Sequence, residues 1–177
     1  MNKSKIEKLR SGINKYQYLR QQLFSTNITA NPDFKRTFNG FFRMRQRTEA
    51  YYTDYYLYLQ QHKTAGISFD DALTYFYKKH GRLEMSFISK MVAIIDPTYP
   101  IWDSIVTKGH FGITSPYFNA KNRLQKGIDK YKLYCSKYKA YMQTAEAKEK
   151  IASFDKLFPN IEISDTKKLD FMLWQEL

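Results

Sequence analysis

Apolar residues recur every three or four positions along most of the chain, which is the spacing of one face of an α-helix. The first such stripe covers residues 5–24, with lysines and arginines between its members. Asn31-Pro32 ends this region, because proline restricts the residue before it and cannot extend a helix. The pattern leaves open whether residues 1–30 form a helical arm or part of the core. The stripe consists of Ile6, Leu9, Ile13, Tyr16, Leu19 and Leu23.

Residues 33–61 predict either one long helix or two shorter helices divided near Asn39-Gly40. The next helix has clear boundaries. Ser68 is a favourable N-cap, Asp71 occupies the capping-box position, and Gly81 supplies a left-handed C-cap. A further helix runs from about Glu84 to Ile95.

Asp96-Pro97 ends that helix, and a short extended link leads to Asp103. Asp103 is placed to N-cap a short helix over residues 104–108, because its carboxylate can accept hydrogen bonds from first-turn amides.

Residues 119–158 predict a long basic helix with a break near Thr144, and Ser164 or Asp165 is placed to cap a C-terminal helix. No strand pattern and no internal repeat is present. The sequence therefore predicts an all-α fold, a compact multi-helix domain over residues 1–177. The expected buried stripe of the long helix is Leu124, Ile128, Tyr131, Cys135, Tyr138 and Met142.

Composition and charge indicate which kinds of partner suit this chain. The formal net charge is +12 and aromatic residues make up 17% of the chain, a combination that suits phosphate backbones and unpaired bases. No apolar run approaches the roughly 20 residues of a membrane span, and MNKSKIEKLR lacks the apolar core of a secretory signal. We therefore expect a cytoplasmic protein without a membrane partner; the oligomeric state is left open.

Metal and cofactor sites are not expected. Cys135 is the single cysteine, which excludes an internal disulfide and a four-cysteine metal or iron–sulfur site. The three histidines show no ligand spacing, and no glycine-rich phosphate loop is present.

Two basic stretches are candidate DNA-backbone contacts. No acidic residue lies between positions 34 and 48, a segment that holds Arg43, Arg45 and Arg47. Further along, Lys126, Lys130 and Lys137 are spaced to share one face of the long helix. The alternative is that these side chains cover amphipathic helices and project their charges into water.

The stretch from Gly81 to Ile113 carries the candidate chemistry. Lys90 lies beside an apolar helical stripe, where burial would favour the neutral, nucleophilic amine. Asp103 follows the break, so a helix return would bring the two side chains to one cleft as an imine-forming pair. The alternative assigns Asp103 to helix capping and Lys90 to a surface charge or an ion pair with Glu84.

The segments FISKMVA and YPIWDSIV resemble the helix-hairpin-helix DNA glycosylases, the superfamily of 8-oxoguanine glycosylases and endonuclease-III-like enzymes. The resemblance covers about 35 residues and implies a glycosylase-like fold with a degenerate hairpin. Ser86, Phe87 and Ile88 stand where those enzymes have hairpin glycines, and the Lys90–Asp103 separation of 13 residues is shorter than theirs. GRLEMSFISK, PIWDSIV and KKLDFMLW are more closely similar to a family of small uncharacterised bacterial proteins.

The resemblance to the DNA glycosylases implies roles for individual residues. Lys90 would attack the sugar carbon after base extrusion. Asp103 would support the cationic transition state or activate the nucleophile. Trp102 or Tyr99 would stack on the extruded base. The sequence thus predicts a DNA-binding protein, either a base-excision glycosylase and abasic-site lyase or a non-catalytic nucleic-acid- or protein-binding domain that keeps only the fold.

Overall fold

The computed structural model describes residues 3–174, and within that range helices are the only regular secondary structure, as predicted. None of the helices in this range has the length and apolar character that a bilayer crossing requires. The helices are α1 (Lys3–Ser25), α2 (Pro32–Phe41), α3 (Glu49–His62), α4 (Phe69–His80), α5 (Met85–Ile95), α6 (Ser104–Gly109), α7 (Arg123–Tyr141), α8 (Ala145–Leu157) and α9 (Asp165–Leu173), with a 3-10 turn at Ile28–Ala30.

Backbone contacts group the chain into two compact units, Met1–Ile67 and Ser68–Leu177. The sequence predicted one domain with the glycosylase-like arrangement, and both points stay predictions.

The first unit is built around aromatic rings. α1 packs on α2. The predicted stripe of α1 is buried from Leu9 to Leu23, whereas Phe24 is exposed. Phe38 lies 5.9 Å from the ring centroids of both Tyr55 and Tyr56. The Tyr56 hydroxyl, which is buried, donates to Asn39 Oδ1 at 2.7 Å. Burial raises the pKa of Tyr56, so this phenol stays protonated at neutral pH.

The break in the region 33–61 falls at residues 42–48, just beyond the predicted Asn39-Gly40. Phe42 caps α2, and Arg43 takes a left-handed backbone conformation with φ of 48°. The Met44 amide then donates back to the Asn39 carbonyl at 2.9 Å. Gly40 stays helical because a single glycine is tolerated inside a helix at a cost of about 1 kcal/mol.

In the second unit, the predicted caps are confirmed. Ser68 accepts from the Asp71 amide at the start of α4, and Gly81 ends α4 with φ of 66°. Thr144 caps α8 and so divides the predicted long helix in two. Ser164, one of the two predicted candidates, caps α9 and also donates to the Pro97 carbonyl at 2.6 Å.

The buried stripe of α7 differs from the prediction. Ile128, Tyr131 and Tyr138 are buried as predicted, whereas Leu124, Cys135 and Met142 are only partly buried. Tyr134, which was not predicted, is fully buried. The Tyr134 hydroxyl donates to the Ile101 carbonyl at 3.2 Å, and its neighbour Tyr131 donates to the Pro100 carbonyl at 3.0 Å. Tertiary hydrogen bonds therefore favour the tyrosine over the small thiol on this face. Burial raises the pKa of Cys135 to about 11, so the thiol is protonated and unreactive at neutral pH.

Candidate functional site

Helix α5 is apolar on nearly all its faces and is buried, as expected for a central helix. Lys90 lies on it with 5% of its surface exposed. Its Nζ donates to Ser86 Oγ at 3.0 Å and lies 5.6 Å from the centre of the Phe87 ring. Lys90 is therefore a buried amine held by its own helix, and the surface-charge alternative is excluded.

Asp103 caps α6, as predicted. Its Oδ1 accepts from the Ile105 amide at 2.9 Å and from the Val106 amide at 3.4 Å. These bonds satisfy first-turn amides that have no partner within the helix. The carboxylate is partly exposed, so a capping role accounts for Oδ1 and leaves one side of the group near solvent.

One hydrogen bond brings the neighbourhoods of Lys90 and Asp103 together. The Trp102 amide donates to Ser89 Oγ at 2.9 Å, and Ser89 is itself fully buried. Lys90 and Asp103 each lie one residue away from this bond. The helix return that the sequence predicted is thus present, with α5 lying against the segment that leads into α6.

The two predicted base-stacking residues differ in access. Trp102 is 2% exposed and packs edge-on against Tyr134, with ring centroids 5.6 Å apart. A base could reach that ring only after this part of the core opened. Tyr99 is 43% exposed and lies where a planar ligand can approach it.

A buried ion pair in the same unit escaped the sequence analysis. Lys167 and Asp170 lie one helical turn apart on α9, and Lys167 Nζ is 3.7 Å from Asp170 Oδ2. Both side chains are almost fully buried. The Tyr138 hydroxyl donates to Asp170 Oδ1 at 2.9 Å. The available signal was a lysine and an aspartate at helical spacing within the apolar run KKLDFMLW.

The electrostatics of this cluster extend to Asp103. Burial raises the pKa of Asp170 to about 6 and lowers the pKa of Lys167, while the opposite charge of each partner acts in the other direction. The Asp103 carboxylate adds to the rise in the pKa of Asp170 and of Tyr134. Asp103 therefore lies in electrostatic reach of the buried pair.

The predicted arginine contacts lie on the loop 42–48 of the first unit. Arg43 and Arg45 are exposed, and neither makes an ion pair with a residue of the range 3–174. The loop itself is held in place, because the Tyr52 hydroxyl donates to the Arg45 carbonyl at 2.7 Å. Arg47 is partly buried, and its guanidinium donates to the Gln46 carbonyl at 2.7 Å. The loop presents exposed positive charge on a fixed backbone.

The lysines of α7 that were predicted to contact DNA differ from these arginines, because two of the three hydrogen-bond to backbone carbonyls. Lys130 Nζ donates to the Thr114 carbonyl, and Lys137 Nζ donates to the Phe111 carbonyl at 3.3 Å. Both lysines thus tie α7 to the loop that follows α6. Lys126 is exposed. Two of the three lysines therefore already have a structural role.

Within residues 3–174, no group of three or more His, Cys, Asp or Glu side chains is arranged to hold a metal ion. Searches against protein-family models, curated proteins and solved structures found no match to this chain.

Proposed function

We propose that this chain is a nucleic-acid-binding protein whose main phosphate contacts are made by the arginine loop, residues 42–48 of the first unit. The observation that carries the proposal is the location of the excess positive charge. Up to Ile67 the chain has twelve Lys and Arg against four Asp and Glu, an excess of eight positive charges out of the total of twelve. The exposed guanidinium groups of Arg43 and Arg45 belong to that excess.

Physical chemistry supports phosphate as the partner. Arginine binds phosphate oxygens through two parallel N–H groups, and the fixed backbone of the loop lowers the entropy lost on binding. Each phosphate that is neutralised releases counterions, so affinity falls steeply with salt. An acidic protein surface would also attract the loop, but it would not give a salt slope that scales with the number of phosphate contacts.

The test is a salt titration of binding to a fluorescein-labelled 20-nucleotide duplex and its single strand. The triple variant Arg43→Gln, Arg45→Gln, Arg47→Gln should lower the slope of log K against log salt by about 2 to 3. The matched triple Arg→Lys variant keeps the charge and should keep most of the slope. The proposal fails if wild-type protein shows no binding at low salt, or if the Gln and Lys variants bind alike.

A second candidate function is abasic-site lyase chemistry, favoured by the Ser89–Trp102 hydrogen bond that brings α5 against the segment ahead of Asp103. The Lys90 amine would add to the C1′ aldehyde of an abasic site, and water would leave to form the protonated imine. Asp103 would then accept the C2′ proton, which breaks the bond to the 3′ phosphate. The 5% exposure of Lys90 requires a local opening before this reaction.

Borohydride trapping distinguishes this second function. Borohydride reduces the imine and leaves a stable adduct with abasic DNA. Lys90→Met should abolish the adduct. Asp103→Asn, which retains the capping ability of the residue, should keep the fold and slow strand cleavage. No adduct with wild-type protein across abasic and damaged duplexes would leave only the binding function.

A further inference from the structure

A groove of about 560 Å³ lies in the second unit where α4 faces the start of α7. Its volume falls in the range of small-molecule sites. Thr74 and Tyr77 of α4 line one side, and Arg123 with Gln125 of α7 line the other. The loop residues Phe118 and Asn119 form its edge. The groove contains one formal charge, the guanidinium of Arg123.

Arg123 lacks the partners that a partly buried arginine usually has. Its Nε is buried and has no hydrogen-bond acceptor among the described residues. No carboxylate in that part of the chain pairs with it, and its guanidinium lies 5.1 Å from the centre of the Phe118 ring. Since buried polar groups are nearly always hydrogen-bonded, an acceptor that reached this donor from outside the chain, a water or a ligand oxygen, would be stabilised there. A phosphate oxygen is the acceptor that arginine binds best.

The backbone beside Arg123 adds positive potential. Asn122 precedes α7 in a left-handed conformation, with φ of 53°, and its side chain does not cap the helix. The first-turn amides of this 19-residue helix are therefore not occupied by the capping residue. An anion bound to Arg123 at this position would gain from the helix dipole as well.

Phe118 lines the groove, and Tyr117 precedes it in the chain. Tyr117 and Phe118 are each 86% exposed, far more than any other large apolar side chain described as exposed. Such exposure has no benefit for folding, since burying the rings would be favourable. Aromatic rings beside a basic groove are a stacking platform for nucleobases.

We infer that this groove binds a nucleoside monophosphate unit, with the phosphate on Arg123 and the base stacked on Phe118. The unit can be a free nucleotide or one residue of a single strand. In the second case the inference rests on the proposed function and adds a site for unpaired nucleotides to the backbone contacts of the arginine loop.

Calorimetry with AMP, adenosine and inorganic phosphate tests the site. AMP should bind at least tenfold more tightly than adenosine or phosphate alone, because only AMP supplies both groups. Arg123→Gln should weaken the binding of AMP at least tenfold. Phe118→Ala should weaken AMP several-fold and leave phosphate binding unchanged; its exposed ring makes this variant safe for folding. Lys148→Gln on α8, an exposed lysine outside the groove, is the matched control and should change nothing.

A strand assay separates this inference from the proposed function. Arg123→Gln and Phe118→Ala should each weaken binding of a labelled (dA)10 strand and leave duplex binding unchanged. If AMP shows no binding and neither variant alters strand affinity, the groove inference is wrong while the arginine loop can still bind nucleic acid. If AMP binds and responds to both variants but the wild-type protein binds neither the strand nor the duplex, the groove is a free-nucleotide site and the proposed function is wrong.

Discussion

The two units use positive charge in different ways. In the first unit, Arg43 and Arg45 project from a fixed loop and make no ion pair with any described residue. In the second unit, lysines hold the structure together: Lys132 pairs with Asp70, Lys167 with Asp170, and Lys168 with both Asp155 and Asp165. The positive charges behind the net charge of +12 therefore serve two different purposes. Removing the loop arginines of the first unit should weaken binding, whereas removing these lysines of the second unit should lower stability.

The largest expected loss of stability follows from breaking the buried Lys167–Asp170 pair of α9. Lys167→Ala leaves the Asp170 carboxylate buried without its cation and also removes the contacts of Lys167 with the Phe171 and Trp174 rings. We expect the free energy of unfolding at pH 7.5 to fall by about 3 kcal/mol, measured by urea denaturation.

Two variants sharpen that result. Lys168→Ala removes a neighbouring lysine whose partners are more exposed, and should cost less than about 1 kcal/mol. The double change Lys167→Met, Asp170→Leu removes both charges and should recover most of the loss. Equal losses for Lys167→Ala and Lys168→Ala would contradict a structural role for the buried pair.

The pH dependence of stability should show the cost of burying Asp170. Its pKa rises to about 6 in the folded protein from an ordinary value of 3.8, so the folded state binds the proton more tightly than the unfolded state does. Protonation therefore stabilises the fold below about pH 4, and this contribution is lost as the pH rises through about 6. Asp170→Asn removes this titration but leaves Lys167 buried without its anion, so the change of stability with pH is the informative quantity. Relative to wild type, the Asn variant should gain about 1–3 kcal/mol of stability between about pH 4 and pH 7.5.

The difference in unfolding free energy between Asp170→Asn and wild type should close as the pH falls to about 4, when both side chains are neutral. Denaturation curves recorded at half-unit pH steps measure this difference. A difference that does not change with pH, or one that shifts against the Asn variant as the pH rises from about 4 to 7.5, would show that the attraction of Lys167 outweighs burial.

A smaller effect is expected at the α6 cap. Asp103→Ala removes the acceptor of the Ile105 and Val106 amides and should cost about 1 kcal/mol. Asp103→Asn should cost little, since asparagine caps as well as aspartate. Thermal unfolding of both variants separates the capping contribution from any contribution of the negative charge.

Local signals in the sequence predicted most of the helices. Ser68, Gly81, Asp103 and Thr144 each act over one helical turn, so their roles follow from neighbouring residues and were confirmed. The position of the α2–α3 break was missed by a few residues, because the turn depends on the contacts of Arg43 and Met44 rather than on Gly40.

The site was harder to predict because burial depends on distant parts of the chain. Lys90 was identified, but its hydrogen bond to Ser86 and its burial in a central helix follow from how α5 packs. Lys167 and Asp170 lie at helical spacing in an apolar run, but their burial follows from how α9 packs. Arg123 is one of many basic residues of this region, so nothing in the sequence distinguishes it, although it is the charge that lines the groove.

The comparison between the units is tested most directly by two variants with the same loss of charge. One carries Arg43→Gln, Arg45→Gln and Arg47→Gln; the other carries Lys126→Gln, Lys130→Gln and Lys137→Gln. Affinity for the 20-nucleotide duplex at low salt and the free energy of unfolding are measured for both.

The arginine variant should lose at least tenfold in affinity with a stability change under about 0.5 kcal/mol. The lysine variant should lose less affinity and more stability, since Lys130 and Lys137 hold loop carbonyls. Equal losses of affinity in the two variants, or a larger loss in the lysine variant, would contradict the account.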